Sequence, residues 1–272
     1  MTRSRRSFRL PFHSSFIAQH RRRLPFRILA DASRKYLDAW HNQSFRIATN
    51  GELRVLERLA PFTPRVVLDV GANVGEYAAL ARRVLPDAHL HCFEAAPPTF
   101  EKLRQSMRDD PAATLNPFGL SDQTGDARLH FYPGALGHSS LVDYPHGAPR
   151  VALTVRVQTG DAYLDDRGLQ TVDFLKIDVE GWEGAVLRGF DRSLRSGRIR
   201  ALQFEYGRAN IITRELLRDL HQYLEPRGYV LGKIYPGYTD FRPYELADED
   251  FRGANYLAVR RELAAIREAL AR

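Results

Sequence analysis

Apolar positions along the chain alternate between two rhythms. Short runs rich in branched or aromatic residues fall at 65–70 (RVVLDV), 88–93 (AHLHCF), 113–118, 171–178 (TVDFLKID), 199–205 (IRALQFE), 228–234 and 254–260, and each predicts a strand. Stretches with helical spacing lie between them, at 75–85, 97–108, 182–195 and 213–225. Pro86 closes the first of these helices, and the Pro97-Pro98 pair opens the second, where a missing N–H costs nothing. Repeated strand–helix units predict a mostly parallel, seven-stranded sheet with helices on both faces. The last two strands have no convincing helix between them, so they predict an antiparallel terminal hairpin.

Two regions stand outside this rhythm. Residues 31–60 carry one apolar stripe of Tyr36, Leu37 and Trp40 and a second of Leu53, Leu56 and Leu59, with a turn at Asn50-Gly51. Pro61 and Pro64 stop this helical segment. Residues 119–170 mix glycine and proline with alternating patterns (ARLHFY, VALTVRVQ), which predicts an insertion or lid.

Composition changes the picture in two places. The sequence has 40 basic and 33 acidic residues, a net charge of +7, but eight arginines and no acid fall in residues 1–30. Without that arm, 32 basic residues face 33 acidic ones, so the remainder is close to neutral. A basic excess confined to one arm argues against nucleic acid as the partner of the folded part. The arm itself reads as a solvated, disordered tail, with an organelle transit peptide as the rival reading. The lone Cys92, in an apolar strand pattern, reads as a core residue and fits a reducing, cytoplasmic location. No apolar run reaches the roughly 18–20 residues of a membrane span.

Ligands of open α/β sheets bind beyond the carboxyl ends of the strands, so polar residues there carry the chemistry. Four such ends qualify: Asp69 to Asn73, Glu94, Asn116 with Ser121 and Asp122, and Asp178 with Glu180. Gly71 and Gly75 remove side chains where a ligand would lie against backbone. Glu94, 19 residues beyond Gly75, sits where an acid accepts the hydroxyls of an adenosine ribose. A dinucleotide would need a third glycine and a helix start free of negative charge. Here Asn73 replaces the middle glycine and Glu76 opens the helix. The pattern suits an adenosine with an amino-acid tail and a sulfonium, as in S-adenosylmethionine.

The stretches VLDVGANVGEYA, FEAAP, LNPFGLSDQTG, LKIDVEGWEGAVLRG, QFEYG and NYLAV resemble, in order and spacing, the FkbM-type methyltransferases. The resemblance covers about residues 65–260 and implies a class I Rossmann-like fold that O-methylates a hydroxyl of a glycan or secondary metabolite. One departure is FEAAP, where members commonly place a proline directly after the acid. The resulting division is a basic arm at 1–30, a helical segment at 31–64, the methyltransferase domain at 65–262 and a tail at 263–272. Asp69, Gly71, Asn73, Gly75, Glu94, Asn116, Ser121, Asp122 and Asp178 are the expected cofactor residues.

Methyl transfer needs alignment of the acceptor and a group to take its proton. Asp178, Glu180 and Glu205 are the catalytic candidates. Together they offer a possible Mg²⁺ site, although no metal is predicted. His138, Ser139 and Ser140 of the segment GHSS are candidate acceptor contacts, while Tyr206, Tyr235 and Tyr238 offer rings for stacking. Lys176, inside a central strand, is expected to pair with Asp69 or a neighbouring acid. The expected partner is a small-molecule or glycan acceptor, not nucleic acid. The competing readings are an NAD(P)-dependent oxidoreductase and a non-enzymatic adaptor.

Overall fold

The computed structural model describes residues 14–145 and 147–272. The chain divides into two compact units, at His41 and Asn42. The first contains helices α1 (Ser14–His20) and α2 (Leu24–Trp40). Helical structure thus reaches well into the segment expected to be a disordered arm; residues 1–13 lie outside the described residues. Pro25 at the start of α2 pre-sets its first turn, and Asp31 and Arg34 pair along it at 3.1 Å.

The second unit opens with α3 (Glu52–Leu59) and then alternates: β1 (Val66–Val70), α4 (Glu76–Val84), β2 (His89–Phe93), α5 (Pro97–Ser106) and β3 (Ala113–Asn116). Next come β4 (Gly119–Ser121), β5 (Gly125–Phe131), β6 (Val151–Thr159) and α6 (Gly160–Asp166). Alternation resumes with β7 (Val172–Ile177), α7 (Glu183–Gly189), α8 (Asp191–Arg195), β8 (Ile199–Tyr206), α9 (Ala209–Thr213) and α10 (Leu217–Leu224). The chain finishes with β9 (Tyr229–Ile234), β10 (Thr239–Phe241), β11 (Ala254–Arg260) and α11 (Ala264–Ala271).

The main sheet has the order β10-β9-β11-β8-β7-β1-β2-β3. It holds eight strands rather than seven, because the short β10 adds an edge beside β9 within the β9–β11 connection. β9 and β11 pair antiparallel, as the missing helix implied, and β11 inserts between β9 and β8. The segment 119–170 forms a separate three-stranded sheet, β4-β6-β5, followed by α6. The expected tail is a helix: Ile266 and Leu270 of α11 are buried in the same core cluster as Val55 and Leu59 of α3.

Strand alternation sends neighbouring residues to opposite faces. Leu68, Leu175 and Leu202 join the core with α7, α8 and α10, while Val67, Phe174 and Ala201 join the core with α3, α4 and α11. On this second face the next residues along are polar. Asp69 lies in register with Lys176, and Lys176 with Gln203, so a polar row crosses three central strands. All three side chains are buried.

Candidate active site

The winding reverses between β1 and β7, and a crevice opens there beyond the carboxyl ends of the strands. Its volume is about 230 Å³. The turn after β1 forms one wall. Gly71 has φ +82°, and a Cβ there would lie 1.8 Å from the Asp178 carbonyl oxygen. Glycine is therefore required by the neighbouring strand end, in addition to any ligand. The turn is tied on both sides: the Gly71 and Ala72 N–H groups donate to the Phe93 carbonyl, and the Asp178 N–H donates to that of Val70.

Asn73 takes a left-handed conformation, and its N–H donates to Glu94 Oε2 at 3.1 Å. The Ala96 N–H donates to Oε1 at 2.8 Å. These two bonds fix the Glu94 carboxylate at the end of β2 and leave a lone pair on each oxygen for a ligand. Burial pushes Glu94 up to about 7, against the pull of those two backbone donors.

The opposite wall is acidic. Asp178, Glu180 and Glu205 line the crevice, and one carboxylate oxygen from each lies within 4.8 Å of the others. Glu180 sits in a left-handed turn at φ +55°. Burial, then the charges of Asp178 and Glu183, raise Glu180, and burial, then the charges of Asp178 and Glu180, raise Glu205 as well. Glu183 plays a different part. Its Oε1 accepts from the Val179 and Gly181 N–H groups at 3.0 and 3.2 Å, so it shapes the turn that carries Glu180.

Below the floor lies Lys176, 3% exposed. Its Nζ is 3.1 Å from Asp178 Oδ2, 3.4 Å from Asp69 Oδ1, and 4.9 Å from the Tyr77 ring centroid. Burial disfavours its charge, but Asp178, Asp69 and Glu52 outweigh that and hold the ammonium above its ordinary range. The expected Lys176–Asp69 pairing is thus present, and Asp178 shares it.

Not every expected residue faces the crevice. Gly71, Asn73, Glu94, Asp178, Glu180, Glu205, Ser139 and Ser140 line it; Asp69, Gly75, Asn116, Ser121, Asp122 and His138 do not. Asp69 is held under the floor by the polar row. Gly75 faces α5, where a Cβ would approach Leu103 and Ser106. The Asn116 amide donates to the Cys92 carbonyl and the Tyr163 hydroxyl. The Ser121 hydroxyl accepts from Trp182 Nε1 at 3.1 Å, and Asp122 pairs with Arg188 at 3.5 Å. A polar residue at a strand end can point under the sheet's rim as readily as over it.

Ser140 has a structural task. Its hydroxyl lies 3.1 and 2.8 Å from the carbonyls of Val179 and Glu180, and it accepts from the Val142 N–H. Ser139 Oγ accepts from the Tyr132 N–H at 3.2 Å. His138 Nδ1 is 3.9 Å from Glu180 Oε1, beside the acidic wall. Of the three tyrosines proposed for stacking, Tyr206 is buried, and Tyr235 and Tyr238 stack on each other at 5.1 Å.

One wall comes from residues that sequence reasoning missed. Ser44, Phe45, Ile47, Asn50 and Glu52 precede the alternating units and line the crevice, as does Glu76. Glu52 is buried, accepting from Gln203 Nε2 at 2.6 Å and from Asn50 Nδ2 at 2.7 Å. Asn42 Nδ2 in turn donates to the carbonyls of Asn50 and Ile234. The available signal was an acid on the buried face of an amphipathic helix, directly after Asn50-Gly51.

The strand order, the glycine turn after β1 and the acid ending β2 define a class I Rossmann-like methyltransferase fold. The chain belongs to the FkbM methyltransferase family: the Methyltransferase FkbM domain matches residues 69–231. It is 31% identical over 156 residues to the 31-O-demethyl-FK506 methyltransferase FkbM of Streptomyces tacrolimicus, covering 46% of this chain and 59% of that protein. It is 29% identical over 133 residues to the hexuronic acid methyltransferase AglP of Haloferax volcanii, covering 48% of this chain and 52% of that one. The chain therefore spans little more than half the length of these relatives. The crystal structure of methyltransferase FkbM from Methylobacillus flagellatus KT aligns with a TM-score of 0.48 at 19% identity, covering 72% of this chain and 43% of that one.

Proposed function

We propose that the protein is an S-adenosylmethionine-dependent O-methyltransferase acting on a hydroxyl of a glycan or secondary metabolite. The observation that carries this reading is Glu94. Two backbone N–H groups hold its carboxylate at the crevice wall with one lone pair free on each oxygen. That pair of acceptors fits two vicinal ribose hydroxyls, each donating to one oxygen. A diphosphate fits poorly, since Glu76 lines the same crevice at the start of α4. This favours a nucleoside sulfonium over NAD(P).

Gly71, Asn73 and Glu94 would hold the nucleoside, with Asp178 toward its amino-acid end or the acceptor. The cofactor, when bound, supplies an electrophilic methyl group. The protein's own residues align the hydroxyl and accept its proton. Glu180 is the preferred base: it lines the crevice, is raised toward the working range, and has the Asp178–Lys176 pair behind it. Glu205 is its nearest alternative. We read the three carboxylates as a proton-accepting cluster and assign them no metal.

The relatives' names, covering an FK506 derivative and a hexuronic acid, support hydroxylated metabolites and sugars as the class to screen. Calorimetric titration with S-adenosylhomocysteine and with NADH tests the proposal. Binding of the first and not the second is expected; binding of NADH alone ends it.

A further inference from the structure

Helix α2, in the first unit, divides sharply by chemistry. At 100° per residue, Arg27, Asp31, Arg34, Lys35 and Asp38 fill one arc of about a quarter to a third of the circumference. The remaining arc is almost wholly apolar, and no residue of the helix is buried. Ile28 and Leu29 are each 59% exposed, and Tyr36 and Trp40 each 64%. A contiguous apolar face on a charged helix marks an interaction surface. Arg21, Arg22 and Arg23 stand immediately before it.

Charge decides what covers this face. Eight arginines without an acid lie in residues 1–30, against a near-neutral remainder. A second copy carries the same basic excess, and the rest of the chain offers no opposing charge excess. An anionic bilayer supplies both missing partners, hydrocarbon for Leu29 and Trp40 and phosphate for the arginines. Tyr and Trp, apolar bodies with a polar tip, suit the headgroup boundary. The 17 residues of α2, with five charges, lie flat rather than span; no described helix is long and apolar enough to cross a membrane.

We propose that Leu24–Trp40 is an interfacial helix that binds the protein to an anionic lipid surface, with its apolar face in the headgroup–acyl boundary. This inference is independent of the methyl-transfer reading. Flotation of the full chain with vesicles of phosphatidylcholine, alone or mixed with phosphatidylglycerol, tests it at low and high salt.

Partition at least about a hundredfold stronger into the anionic vesicles is expected, weakening with salt. Replacing Arg21, Arg22 and Arg23 together by Gln should weaken it about a hundredfold, at roughly fivefold for each charge near the surface. The double substitution Leu29→Ser with Trp40→Ser should abolish it. Both variants should keep the thermal transition of the parent chain, because they alter exposed positions only. Equal partition into neutral vesicles, or full binding by the double variant, overturns the proposal. So does a dimer in sedimentation that the double variant dissociates, with vesicles left unbound.

Discussion

Glu52 Oε1 accepts a 2.6 Å hydrogen bond from Gln203 Nε2, joining the helix that precedes the alternating units to a central strand of the sheet. Gln203 is also the end of the polar row that begins at Asp69 and passes through Lys176. The bond therefore ties a crevice wall to the layer beneath the crevice floor. Removing it as Glu52→Ala strands the Gln203 and Asn50 amides in a buried site. A loss of about 2–4 kcal/mol is expected in urea unfolding, with an unchanged midpoint as the contrary result.

Glu94→Gln keeps an acceptor for one backbone N–H and replaces the other oxygen with a donor. S-adenosylhomocysteine should bind about 1–3 kcal/mol more weakly, as read by calorimetry. Glu94→Ala is a poorer probe, because Asn73 and Ala96 would both lose their acceptor and the fold would soften as well. Normal affinity in the Gln variant would remove the ribose assignment.

Glu180→Gln should lower turnover by about 10²–10⁴-fold with cofactor affinity retained. Turnover of the parent should rise with pH, because the base acts deprotonated, and the rise should lie above the ordinary carboxylate range, since burial and neighbouring acids raise Glu180. The variant should lose that rise. A parent-like profile in the variant would transfer the role to Glu205.

Glu183 gives a stability signal of opposite character. Burial raises it to about 7 from an unfolded value of 4.5, so the folded chain holds this proton more tightly than the unfolded chain. Its ionisation therefore costs nothing below 4.5 and progressively destabilises the fold as pH rises through 7. Glu183→Gln retains an acceptor for the Val179 and Gly181 N–H groups and removes the charge. It should stabilise by about 2–3 kcal/mol near pH 8 and hardly at all near pH 5. A gain that does not depend on pH would contradict the assignment.

How much of this the sequence reveals follows from what each signal measures. All seven expected strands exist, because branched apolar runs report burial on both faces of a parallel sheet. The eighth, β10, has only three residues and no apolar run to announce it. The helix expected at 182–195 is two, α7 and α8, separated at Phe190. Acids at strand ends located the crevice, yet Asn116, Ser121 and Asp122 point elsewhere. Their position in a run could not say whether Tyr163, Trp182 and Arg188 would fold over to meet them. Glu52 was invisible for a related reason: its partner Gln203 is 151 residues away.

The missing side chain at Gly71 lets the carbonyl of Asp178 occupy the space where a methyl group would stand. The two strand ends are thereby keyed together, like adjoining teeth of one comb. Anyone redesigning the crevice for a bulkier ligand cannot recut the glycine-turn wall alone. Any shift of that glycine loop carries the acid-bearing edge along with it, so reach and reactivity must be re-engineered as one piece.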